Sequence, residues 1–197
     1  GDANNFTVSG KIEKAPVNDL KLQMVAFDNS GLKTIDSGKI AADGSYSLHG
    51  NVKEQSLFLL TLNNRPVAVF INDNSNVKIS TMLDNTFRTP YISNSDGTKQ
   101  LYDFLNDFQA RDSVLAGIYT RMDSILSINP NDTTALIYQN QGAAIAQQVN
   151  KQVKDFIQTN KNPAGVFYAI QIAASRGVIG QAELEPTIQQ TSDRSKE

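Results

Sequence analysis

The hydrophobic period of this chain changes once, near residue 94, and no other feature limits the fold as much. From Phe6 to about Ser93 apolar side chains recur at every second position, the period of a strand with one face buried. "FTVSGKI" puts Phe6, Val8 and Ile12 on one face with Gly10 between them, and "LKLQMVAF" alternates Leu20, Leu22 and Met24 against Lys21 and Gln23. "KTIDSGKI", "SYSLHG", "SLFLLTL", "PVAVFIN", "NVKISTM" and "FRTPYIS" continue the series. Turn signals separate these segments: "NSG" at 29–31, "DG" at 43–44, "NNRP" at 63–66 and "NDNSN" at 72–76. Short strands at roughly ten-residue spacing predict an antiparallel β-sandwich or open barrel of about seven or eight strands. The continuous apolar runs 57–62 and 67–71 read as central strands buried on both faces.

Beyond Asn94 the period becomes that of a helix. Leu101, Leu105, Phe108, Leu115, Ile118 and Met122 fall on one stripe, which Ile125 and Leu126 extend. The stripe predicts a helix of about thirty residues, capped by Ser95 or Asp96 and stopped by Pro130. A second helix is expected over 133–159, with Ile137, Ile145, Val149, Val153, Phe156 and Ile157 as its contact face. Its middle is rich in Gln and Ala, so that face is thin. Asn162 and Pro163 mark the cap and first position of a third helix, which Gly177 ends. A short stretch in "QAELEPTIQQ" would make four. The expected class is therefore α+β, with a sandwich over 1–93 and a helical region of three or four helices over 94–197.

Composition narrows the chemistry. The chain has 197 residues, 40% of them hydrophobic and 19% charged, ordinary values for a globular protein. Eighteen basic and twenty acidic residues give a net charge of −2 without a basic run, so a nucleic-acid footprint is not expected. No apolar run approaches the length of a membrane-spanning helix. The absence of cysteine removes disulfides, thiolate nucleophiles and cysteine-ligated zinc together. The chain opens "GDANNF"; Gly1 reads as a tag remnant and the rest as a mature or trimmed N-terminus, with room for a targeting segment removed upstream.

The candidates for chemistry are few. His49 is the single histidine, and a histidine base needs a nucleophile or an orienting carboxylate that no motif here supplies. It reads as a solvent-facing or edge-strand residue. "NDNSN" (72–76) and "SNSDG" (93–97) cluster oxygens that suit calcium. Both lack the alternating acidic spacing of a calcium loop and read as turns and caps. Asp103 and Asp107 sit one helical turn apart on the polar face of the first helix and look solvated, whereas a glycosidase acid needs a raised pKa. Arg65-Pro66 reads as part of a hairpin loop. Tyr91, Tyr102, Tyr119, Tyr138 and Tyr168 read mostly as core. "NFT" (5–7) and "NDT" (131–133) match N-glycosylation acceptors. "DSV" (112–114), "DSI" (123–125) and "DTT" (132–134) resemble a bacterial O-glycosylation signal; chance is the plain reading of all five. No catalytic, cofactor-binding or metal-ligating residue is assigned.

The order of the parts resembles a known family. "FTVSGKI", "TIDSGKIAADGSYSLHGNV", "VAVFINDNSNVKIS" and "TPYISNSDGTKQLYDFLNDF" follow one another as in the DUF4369 domain. That is the β-rich N-terminal domain of bacterial thioredoxin-like lipoproteins related to AhpC/TSA and TlpA-type thiol-disulfide oxidoreductases. Asp43, Gly44 and Tyr46 match the family's "D-G-x-F/Y" hairpin, and Asn72 and Asp73 match its "N-D" turn. Where a Gly-Ser pair usually precedes the first helix, Asn94-Ser95 stands here. The thioredoxin part with its C-x-x-C is absent from the sequence.

The resemblance implies a non-catalytic accessory module of an exported thioredoxin-like oxidoreductase. Such a module would position the redox domain or bind a client protein, with no cofactor of its own. Its expected partners are the C-terminal thioredoxin-like domain of the same protein, a client, and a second copy in a homodimer. It would meet a membrane only through an N-terminal lipid anchor outside this chain, at the periplasmic or outer surface of the cell envelope. The alternative is a stand-alone domain of a surface lipoprotein that binds a glycan or peptide.

Overall fold

The computed structural model describes residues 4–15, 20–28, 31–83, 92–177 and 186. Eight strands come first: β1 (Asn4–Glu13), β2 (Lys21–Asp28), β3 (Gly31–Lys39), β4 (Ser45–Val52), β5 (Leu57–Leu62), β6 (Arg65–Ile71), β7 (Asn76–Met82) and β8 (Ile92–Ser93). Three helices follow: α1 (Asp96–Ile128), α2 (Thr134–Thr159) and α3 (Pro163–Ser175). The strands form two four-stranded sheets, in the orders β4-β1-β7-β8 and β3-β2-β5-β6. The α+β class and the strand number match the expectation. The hydrophobic face of each sheet meets the other, with Phe6, Val8 and Leu48 opposed to Met24, Phe58 and Phe70. The rings of Phe6 and Phe58 lie 5.0 Å apart, and those of Phe58 and Phe70 5.3 Å.

One pairing departs from the antiparallel expectation. β1 and β7 run parallel, with Val8 opposite Val77. Parallel neighbours need a long crossover, and here the chain builds the whole second sheet between the two strands. Gly10 belongs to this seam, because a side chain there would collide with the Ile79 carbonyl. The turns follow the sequence signals. Gly44 takes a φ of +88° after Asp43, whose carboxylate accepts from the Ser45 N–H and hydroxyl. Asn63 and Asn64 both have positive φ between β5 and β6, the backbone of a tight two-residue hairpin loop. Arg65 is already in β6, paired with Leu62.

The runs 57–62 and 67–71 are buried as expected, but only β5 is central. β6 is an edge strand of its sheet, and its exposed face and edge are covered by helices. Val69 N–H donates to Tyr102 Oη at 2.8 Å, and Ile71 N–H donates to Thr98 Oγ1 at 3.0 Å. Side chains of α1 thus take the place of a neighbouring strand, one remedy for unpaired edge groups. Leu57, Val69 and Ile71 pack against Leu101, Tyr102 and Ala164 beneath this seal.

α1 has 33 residues, about 50 Å of helix. Ser95 is its N-cap, accepting from Thr98 N–H. Only its first turns are deeply buried, through Leu101, Tyr102, Phe104 and Phe108; Tyr102 and Phe104 widen the stripe read from the sequence. Leu115, Ile118, Met122, Ile125 and Leu126 are half-buried. α2 returns alongside, with Phe156 stacked on Phe104 at 4.3 Å and Tyr119 against Gly142. Ile137, expected on the contact face of α2, is exposed, as is Leu136; Ala135 and Gly142 are the buried residues of that end. Asn162 caps α3 through the N–H groups of Ala164 and Gly165, and Gly177 after it has a φ of +72°. Arg176 at the end of α3 pairs with Asp112 at 2.7 Å. Tyr91, most of "FRTPYIS" and all but Pro186 of "QAELEPTIQQ", and with it any fourth helix, lie outside the described residues. Among the described residues no helix is long and apolar enough to cross a membrane.

Candidate functional site

The two oxygen-rich segments of the sequence meet in space. The turn after β6 carries Asn72 and Asp73, and the residues before and within the first turn of α1 are Asn94, Ser95, Gly97 and Thr98. Asp73 Oδ2 accepts from Gly97 N–H at 2.7 Å. This is a charge-assisted bond at the positive end of a helix. Asn72 Oδ1 accepts from Ser56 N–H at 2.7 Å, fastening the same turn to the entry of β5. Asn94 bonds β7 twice, accepting from Lys78 N–H and donating to the Asn76 carbonyl, both at 2.7 Å. Ser95 is fully buried, with its hydroxyl 3.2 Å from the Ile71 carbonyl and 2.7 Å from Thr98 Oγ1. The start of α3 joins the junction, where Asn162 Nδ2 donates to Gln55 Oε1 at 2.9 Å.

These contacts direct the clustered oxygens at backbone N–H groups. Among the described residues no group of three or more Asp, Glu, His or Cys is placed to hold a metal ion. Asn74 makes the local turn read from the sequence, accepting from Asn76 N–H. Asn72 and Asp73 do more than the turn reading assigned them, since they tie the end of β6 to the entry of β5 and to the first turn of α1. One donor, Asn72 Nδ2, and one acceptor, Asp73 Oδ1, stay buried there without a protein partner.

A second feature is an open groove of about 650 Å³ between α1, α2 and the α2–α3 linker. Asp103, Asp107, Gln100 and Lys161 are among its polar lining, and Phe104 and Phe156 contribute its apolar lining. Asp103 and Asp107 are exposed, as the sequence suggested, and Asp107 lies 3.6 Å from Arg111. Gln152, also in the lining, has its Oε1 buried without a donor. The groove offers acceptors and negative charge to a ligand.

His49 lies on β4 directly opposite Thr7 of β1, with Nδ1 3.1 Å from Thr7 Oγ1. Asp36 is close, but its carboxylate accepts from the His49 backbone N–H at 2.8 Å. The ring therefore has no orienting carboxylate in this contact, and the imidazole and hydroxyl meet because register places them opposite each other. The tyrosines divide. Tyr102 is buried and bonded to β6; Tyr46, also buried, donates to the Ile79 carbonyl at 2.6 Å. Burial pushes both phenols well above their ordinary range. Tyr168 is half-buried, edge-on to Phe27, and burial raises it too. Tyr138 lies under Arg121 at 5.9 Å, and Tyr119 is exposed. Thr98 escaped sequence reasoning. Its signal was a hydroxyl one turn before Tyr102, on the face that the apolar stripe assigns to the interior.

The fold and its junction define a β-sandwich whose edge and turn are locked to the first turns of a following helix. The chain belongs to the family described as Domain of unknown function (DUF4369), whose model matches residues 6–104. The matched stretch takes in both sheets and α1 as far as Phe104, and so includes Asn72, Asp73, Ser95, Thr98 and Tyr102. A comparison with curated proteins found no match. Among solved structures, a 9R-lipoxygenase from Cyanothece PCC8801 aligns at 13% identity with a TM-score of 0.31. The alignment covers 66% of this chain and 25% of that one, and the chain thus spans about a quarter of the lipoxygenase. A likeness of that size carries no argument.

Proposed function

We propose that this chain is a non-catalytic accessory module of an exported, lipid-anchored thioredoxin-like thiol-disulfide oxidoreductase, where it positions the redox domain or holds a client protein. The observation that carries the reading is a sequence of this family without a single cysteine. Thiol-disulfide exchange runs through a thiolate, so in such a protein the reacting sulfurs belong to another part. What this chain supplies is a scaffold. The Asp73–Gly97 and Tyr102–Val69 bonds fix the helices on the sandwich, as a support for a neighbouring domain requires. The envelope location rests on the family resemblance alone.

The test is the intact mass and reading frame of the native protein, followed by disulfide reduction assays. The expected result is a longer chain with a C-x-x-C domain, active as a whole and inactive as residues 1–197. A native chain without that domain overturns the reading. The second reading, a binding domain for a peptide or glycan, is favoured by the groove beside Phe104 and Phe156. Loss of ligand retention in Asp103→Ala, with fold intact, would support it.

A further inference from the structure

We propose that the Thr133 hydroxyl, in the turn between α1 and α2, is a glycan attachment site. The tripeptides 5–7, 112–114, 123–125, 131–133 and 132–134 match glycosylation signals equally well as sequence. The fold separates them. A transferase must draw the acceptor and its backbone neighbours into a cleft, which an exposed turn permits and a strand ladder or mid-helix turn resists. Asn5 and Thr7 lie within β1, between β4 and β7, and Thr7 Oγ1 is 3.1 Å from His49 Nδ1. Ser113 and Ser124 lie inside α1. Asp112, the acidic member of the first of these signals, pairs with Arg176 at 2.7 Å. The Ser124 hydroxyl donates to the Thr120 carbonyl at 3.0 Å.

The two remaining signals overlap on Thr133, at the tip of the outer hairpin that α1 and α2 form over residues 114–150. Asp132 builds the turn there, its Oδ1 accepting from the Thr134 N–H at 2.9 Å and the Thr134 hydroxyl at 2.6 Å. Those bonds occupy Thr134. Thr133 is exposed and makes no capping bond, although it stands at the N-cap of α2. An N-cap threonine ordinarily spends its hydroxyl on the helix, and this one is left for another use. Asp132-Thr133-Thr134 matches the bacterial O-linked signal, so the acceptor is the Thr133 oxygen; the inference rests on the exported bacterial origin proposed above. The co-substrate is an activated sugar, a nucleotide- or lipid-linked sugar phosphate. Thr133 Oγ1 attacks its anomeric carbon, a carbon–oxygen bond forms, and the phosphate leaves with the electron pair of the bond that breaks. The hydroxyl proton passes to a base of the transferase.

Mass spectrometry of the protein purified from its native source tests this. Trypsin should release residues 122–151 as one peptide, since no Lys or Arg lies between Arg121 and Lys151. The expected peptide is heavier than its sequence by a carbohydrate mass, which fragmentation that preserves the sugar places on Thr133 and not on Ser124. Expressed in the same source, Thr133→Ala should lose the added mass, whereas Thr133→Ser and Asn131→Gln should keep it. Thr133→Ala should also melt as the unglycosylated wild type does, because the side chain caps nothing. An unmodified peptide from envelope-located protein overturns this proposal while leaving the accessory-module reading intact. A sugar on Thr133 of a native chain without a C-x-x-C domain does the reverse. Retention of the sugar in Thr133→Ala, or its loss in Asn131→Gln, overturns the assignment to Thr133.

Discussion

The two ends of this molecule are built to different standards. In the sandwich, Val8, Phe58, Phe70 and Ile79 are wholly removed from water, and every strand of the core is pinned by ladders, turns or helix side chains. In the outer hairpin the equivalent apolar residues remain half-wet, and Ile128 and Ile137 face solvent. Both regions have sound local patterning. The difference is the number of layers available among the described residues, because a sheet pair encloses its side chains from two sides whereas two helices packed only on each other do not.

That contrast can be broken in order of expected effect. Phe58→Ala removes a ring stacked between Phe6 and Phe70 and should cost about 3–5 kcal/mol, seen as a large drop in the denaturant midpoint; a small loss would mean the sandwich core is not the main store of stability. Tyr102→Phe leaves Val69 N–H buried without its acceptor and should cost about 1–3 kcal/mol, whereas a neutral result would show that the edge of β6 does not need sealing. Ile118→Ala, in the half-buried arm, should cost about 1 kcal/mol in the monomer, below the range for a fully buried site. A cost equal to that of Phe58→Ala would erase the contrast.

Alkaline titration sharpens the same comparison. Tyr46 and Tyr102 hold their protons more tightly folded than unfolded, chiefly because of burial. A raised folded-state pKa means that their contribution is fully present below the unfolded value of about 10 and is lost as pH rises beyond it. The melting temperature should therefore show no loss from these phenols up to about pH 9 and fall above about pH 10. Phenolate absorbance should show Tyr46 and Tyr102 ionising only as the fold is lost. Ionisation of either ring near the ordinary phenol value while the fold persists would contradict its burial.

Much of this was legible in the chain. The change of period placed α1, and Ser95, Asn162-Pro163 and Gly177 marked helix ends because capping is local chemistry. Asp43-Gly44 and Asn63-Asn64 announced their turns for the same reason. Less local facts were hidden. The parallel pairing of β1 with β7 depends on where the chain returns after a full sheet, and β6 reads as central because helices bury it, which its own composition cannot reveal. Asn72 and Asp73 looked like an ordinary turn because their partners, Ser56 and Gly97, are distant in sequence. Ile137 fell on the expected stripe of α2, yet among the described residues it is left exposed.

The seal on β6 has a consequence for how the chain can be divided. Thr98 and Tyr102 complete the hydrogen bonding of a strand that ended some thirty residues earlier. A fragment cut just after β8 would therefore carry a bare, apolar margin able to recruit identical fragments end on end. The smallest piece that can remain a solitary particle in water must therefore include the opening turns of α1.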